Sequence, residues 1–210
     1  MPKVSAILFD LDGVLVDVTE WHYEALNRAL GLFGFHITRY EHLSAYNGLP
    51  TRKKLEMLSV EKGLALRLHA IVNKIKQVHT REVILSRCRP VFEKEYMITR
   101  LRRDGYRLAV CSNAIRDTVE LMLRQSGIHH HFEFVLSNED VVQPKPDPYV
   151  YLKAVEKLGC SVEEVVIVED APHGVEAARR SGAHVLEVAG FLDVDYGRVK
   201  DFILLTESKT

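Results

Sequence analysis

Cysteine is scarce in this chain of 210 residues. Only Cys88, Cys111 and Cys160 occur, far apart and odd in number. That excludes a disulfide framework and fits a reducing cytoplasm, the compartment expected here. None of the three has a paired-histidine pattern, so they read as buried bystanders rather than nucleophiles. Long apolar runs are missing too. None reaches the length of a membrane span, and the first is too short for an export leader and ends on Asp10. Charge of one sign is also lacking: 28 basic against 29 acidic residues leave a net charge of -1. The bulk electrostatic basis for binding nucleic acid or an acidic membrane is therefore absent. There is no internal repeat or low-complexity segment. What remains is an ordinary soluble composition, 47% hydrophobic and 27% charged. The length suits one well-buried domain, or one carrying an insertion.

What is present is organised around Ala6-Ile7-Leu8-Phe9-Asp10-Leu11-Asp12-Gly13. Four apolar residues in a row read as a short strand buried on both faces. Two carboxylates at its end are costly there unless a cation or a reaction requires them. In extended chain Asp10 and Asp12 point the same way, with Leu11 turned inward. Gly13 permits a sharp turn that leaves them at the rim.

Farther on, helical patterning begins near Thr19, with Trp21, Ala25, Leu26, Ala29, Leu30 and Phe33 on one face. Thr51 is expected to cap a helix carrying Leu55 and Leu58. Leu68, Ile71, Val72, Ile75 and Val78 mark the apolar face of another. From Pro90 the pattern alternates. Helices are expected over 92–104, 115–126, 147–158 and 174–181, and strands over 107–111, 134–136, 165–168 and 185–188. A last strand is expected over 202–205. This alternation predicts an α/β fold, a Rossmann-like parallel sheet with helices on both faces. The expected domains are a core from residues 1–16 and 90–210 and an inserted all-helical unit, 17–89.

Three strands end in polar residues suited to the crevice beyond a parallel sheet: Asp10 and Asp12, Ser112 and Asn113, Glu169 and Asp170. Four converging carboxylates repel one another unless a cation sits among them, and hard oxygen ligands suit magnesium. Lys145, in a loop stiffened by Pro144, Pro146 and Pro148, and the Ser112-Asn113 turn suit the oxygens of a phosphate. His129-His130-His131 lacks a spacing that would converge three imidazoles, and reads as a solvated loop.

Taken together, Phe9–Leu15, Cys111-Ser112-Asn113, Lys145-Pro146-Asp147-Pro148 and Val168–Ala178 resemble, in order, the four signatures of the haloacid dehalogenase superfamily. The chain is similar to its phosphatase and β-phosphoglucomutase-like branch, with a helical cap after the first signature. The resemblance implies Asp10 as nucleophile, Asp12 as general acid/base, and Ser112 and Lys145 on the transferring phosphoryl group, with Asn113 also at the substrate. It implies Mg2+ held by Asp10, the Asp12 carbonyl and Asp170, with support from Glu169. In the cap it points to His22, Arg52 and Lys76 as substrate-binding residues. The expected activity is hydrolysis of a small phosphorylated metabolite, such as a sugar phosphate, by a chain for which nothing demands a partner subunit. A phosphomutase resembling β-phosphoglucomutase and a non-catalytic metabolite-binding protein are the alternatives.

Overall fold

A computed structural model describes residues 3–208 of the chain. Its five strands are β1 (Ala6–Phe9), β2 (Arg107–Cys111), β3 (Val135–Leu136), β4 (Val165–Glu169) and β5 (His184–Glu187). All neighbours pair in parallel, in the order β3-β2-β1-β4-β5. Ala6, Leu8, Ala109, Cys111, Val165 and Ile167 share one core cluster. The alternate residues Ile7, Phe9, Leu108, Val110, Val166 and Val168 are equally buried. A sheet covered on both faces explains why its strands read as continuous apolar runs.

The chain separates into two compact units, one of residues up to Asp17 and from Arg89 onward, the other Val18–Cys88. The second is helical: α1 (Thr19–Gly31), α2 (Arg39–Glu41) running into a π turn at His42–Tyr46, α3 (Thr51–Lys62) and α4 (His69–Arg87). Its core joins Leu26, Leu30, Ile37, Tyr46, Leu55, Leu58, Leu64 and Val72. Two details differ from expectation. Thr51 is the first helical residue rather than the cap, because Pro50 already occupies the cap position. On α4 the buried stripe is Val72, Lys76, Thr80, Val83 and Ile84, while Ile71 and Val78 are exposed. Helical spacing fixes which residues share a face. Packing keeps Val72 in the core with Leu68 and Ile75 against it, and turns Ile71 and Val78 outward.

In the first unit lie α5 (Phe92–Arg103), α6 (Arg116–Gln125), α7 (Tyr149–Leu158), α8 (Pro172–Ser181) and α9 (Tyr196–Ser208). The strand expected over 202–205 is instead part of α9. Val199 and Ile203, four apart, are buried, while Leu204 and Leu205 face solvent. That is a helical burial period, and α9 packs beside the edge strand β5 rather than extending the sheet.

Candidate active site

The parallel register sets the site. Phe9 pairs with both Val110 and Val168, so the next residue, Asp10, lies level with Cys111 and Glu169. β1 is flanked by β2 on one side and β4 on the other, which makes its end the point where strand order reverses. Asp10 is 7% exposed, Glu169 1% and Lys145 3%.

Lys145 is the hub. Its ammonium donates to Asp10 Oδ1 at 2.6 Å, to Glu169 Oε1 at 2.5 Å and to the Cys111 carbonyl at 2.9 Å, engaging all three N–H bonds. Glu169 is held as firmly. Oε1 also accepts from the Tyr151 hydroxyl at 2.6 Å, and Oε2 accepts from the backbone N–H groups of Asp170 and Ala171 at 3.1 and 3.3 Å. Two glycines make room for these carboxylates. Gly13 has φ +83°, and a Cβ there would overlap the Asp170 carboxylate. A Cβ on Gly174, in the first turn of α8, would overlap that of Glu169.

Electrostatics shows the strain of this crowding. Burial first, then Glu169 and Asp12, pushes Asp10 well above the usual carboxylate range, while Lys145 pulls it back. Burial and the same two carboxylates raise Asp170 to about 7. Burial works against the Lys145 ammonium, but Asp10 and Glu169 outweigh it and hold Lys145 above its ordinary value. One oxygen each from Asp10, Glu169 and Asp170 lie within 4.8 Å of one another. Among the described residues nothing donates to the buried Asp170 Oδ1. Closely set carboxylates, with Asp10 and Asp170 pushed toward their neutral forms and a buried Asp170 oxygen lacking a donor, fit a hard divalent cation.

Ser112, buried at the end of β2, accepts from the Ala114 N–H through Oγ. Asn113 is half-buried, and both ends of its carboxamide engage the Lys145 backbone. Asp12 begins the turn after β1, bridged to Val16. His22, Arg52 and Lys76 belong to the helical unit. Lys76 is buried, His22 half-buried, and the Arg52 side chain is 89% exposed and paired with Glu56 at 3.0 Å. Sequence reasoning passed over Tyr151, which reads as one more apolar helix residue. Lys54, 6% exposed, lies four residues from Leu58 on the buried face of α3. His129–His131 form a short 3-10 turn and belong to no three-ligand group among the described residues.

The model of the haloacid dehalogenase-like hydrolases matches residues 7–188, from β1 through the residue after β5. The chain belongs to that family. Among its relatives, a phosphorylated carbohydrates phosphatase of Thermotoga maritima is 30% identical, over 85% of this chain and 82% of the relative. Pyrophosphatase PpaX of Bacillus velezensis is 29% identical over 89% and 84%. A phosphoglycolate phosphatase of Aquifex aeolicus is 28% identical over 96% and 92%. The fold also matches CbbY of Rhodobacter sphaeroides in complex with phosphate. That match has a TM-score of 0.80 at 25% identity, covering 90% of this chain and 87% of CbbY. β2 to β5 and all of β1 but Ala6 fall inside the matched residues, and so do the Asp10, Lys145 and Glu169 side chains.

Proposed function

We propose that the chain is a magnesium-dependent phosphohydrolase that cleaves a small phosphorylated metabolite, a sugar phosphate in particular, through a phosphorylated Asp10. The observation that carries this reading is the contact of a buried ammonium, Lys145, with a buried carboxylate, Asp10, at 2.6 Å at the end of the central strand. The phosphatases among the relatives support it.

In this reading a carboxylate oxygen of Asp10 attacks phosphorus and the bond to the leaving oxygen breaks. Asp12 gives its proton to that oxygen. Asp12 then takes a proton from water as the water attacks the phosphorylated Asp10, which releases phosphate, frees the Asp10 carboxylate and returns Asp12 to its protonated form. Lys145 favours the ionised form of Asp10 against the burial that opposes it, and offers positive charge to the phosphoryl oxygens, with Ser112 at the neighbouring strand end. Asp10, the Asp12 carbonyl and Asp170 would hold the magnesium ion. Glu169, whose oxygens already accept four hydrogen bonds, serves as a fixed negative charge beside them. When bound, the ion would neutralise the clustered carboxylates and the charge of the transferring phosphoryl group.

The test is a screen of purified protein with magnesium on sugar phosphates, nucleoside monophosphates, phosphoglycolate, pyrophosphate and β-glucose 1-phosphate. Free phosphate and isomerised product are followed together. Phosphate release that disappears with EDTA and in Asp10→Asn supports the reading. Glucose 6-phosphate without free phosphate would replace it with a phosphomutase.

A further inference from the structure

Lys145 sits in a proline-flanked turn closed by the Asp147 N–H donating to the Pro144 carbonyl at 3.1 Å, a bond that leaves both backbone groups of Lys145 unused. Pro144 and Pro146 have no N–H, so the Lys145 N–H is the single backbone donor of residues 144–146. That donor goes to a side chain from another element, Asn113 Oδ1, at 3.1 Å. In return Asn113 Nδ2 donates to the Lys145 carbonyl at 3.4 Å. The carboxamide thus imitates a paired strand residue, reading both backbone groups of one amino acid. Beyond it, Arg180 Nη1 donates to the Pro146 carbonyl at 2.9 Å.

We propose that Asn113 is a positioning residue that sets the backbone of Lys145, rather than a group that touches the substrate. This rests on the phosphohydrolase reading for its kinetic consequence but not for its geometry. An ammonium that donates to Asp10, Glu169 and the Cys111 carbonyl at once tolerates little displacement of its own main chain. Chain length and rotamers between Cα and Nζ could absorb a shift only by giving up one of those three contacts. Asn113 also suits the task in reach and in kind. It supplies an acceptor and a donor side by side, whereas aspartate would set an oxygen against the Lys145 carbonyl and alanine would leave both backbone groups without a partner. The carboxamide oxygen and one of its two N–H groups are thus already committed to the Lys145 backbone.

The test compares wild type, Asn113→Ala, Lys145→Met and the double variant. Amide hydrogen exchange of Lys145 is read in the metal-free wild type and Asn113→Ala, with no substrate present. Exchange at least tenfold faster in Asn113→Ala is expected, and unchanged exchange would overturn the clamp. Turnover of p-nitrophenyl phosphate with magnesium gives the second readout. Asn113→Ala is expected to lose roughly tenfold or more in kcat/KM, and the double variant to match Lys145→Met within twofold, because the asparagine acts through the lysine. A double variant lower again by the full factor of Asn113→Ala would show an independent contact with substrate and refute the proposal. Wild-type protein with no turnover on any phosphate ester would instead defeat the phosphohydrolase reading, and the exchange measurement would still decide the clamp.

Discussion

Replacing Gly174 by alanine sets two physical effects against each other. On helix propensity alone, Gly174→Ala in α8 should stabilise by up to ~1 kcal/mol. The structure reverses the sign. The new Cβ would overlap the Glu169 carboxylate, which is 1% exposed and cannot swing into solvent. Either the helix start moves, an overpacking cost of ~1–3 kcal/mol, or Glu169 leaves Lys145 and Tyr151. Breaking a buried ion pair of that kind costs ~3–5 kcal/mol when a partner is lost outright, and partial displacement costs less. The expected net loss is about 2–4 kcal/mol, a fall in melting temperature on the order of 10 °C for a chain of this size. The assay is urea unfolding at pH 7 without magnesium, paired with turnover. Gly31→Ala is the control, because a Cβ there meets nothing within 4 Å. It should be neutral or slightly stabilising. A Gly174→Ala protein as stable as wild type, with Lys145-dependent turnover intact, would refute the claim that Glu169 is pinned.

Four further outcomes are expected. Asp10→Asn should remove turnover while leaving the far-UV spectrum and cooperative unfolding intact. Wild-type rates in a clean preparation would end the nucleophile assignment. Asp12→Ala should lose more on alkyl phosphates than on p-nitrophenyl phosphate, whose leaving group needs less protonation; equal losses on both would count against the general-acid role. Magnesium should raise the melting temperature of wild type, with about 2.7 kcal/mol of stabilisation at a hundredfold excess over Kd. Asp170→Asn should abolish most of that gain, and the same gain in both proteins would place the ion elsewhere. In the helical unit, His42 is fully buried, and that burial, together with Lys54 and His22, lowers its pKa to about 4. The unfolded imidazole takes up its proton near 6.5, so the unfolded state binds more protons between these values. Stability should be complete above pH 6.5 and fall by about 3 kcal/mol as the pH drops to 4. Urea midpoints across that range should flatten in His42→Gln.

By itself the sequence carried the architecture of the sheet and the centre of the site. Short apolar runs ending in Asp10, Ser112 and Glu169 could satisfy burial on both faces only as parallel strands, and parallel strands bring their carboxyl ends to one edge. Motif order then supplied the family, and the family model matching residues 7–188 bears it out. What the sequence left open was geometry that depends on partners far away in the chain. The apolar run at 202–205 fits a strand or a helix, and only the packing of Val199 and Ile203 beside β5 decides for α9. On α4 Val72 packs inward as its spacing predicts, while Ile71 and Val78 of the same expected face are exposed. Asn113 and Tyr151 show the same limit in the site. A residue type announces what a side chain can donate or accept, but not which group will stand 3 Å away. That Asn113 meets the Lys145 backbone 32 residues on, and Tyr151 meets Glu169 18 residues on, was settled by how the loop and α7 lie against the sheet.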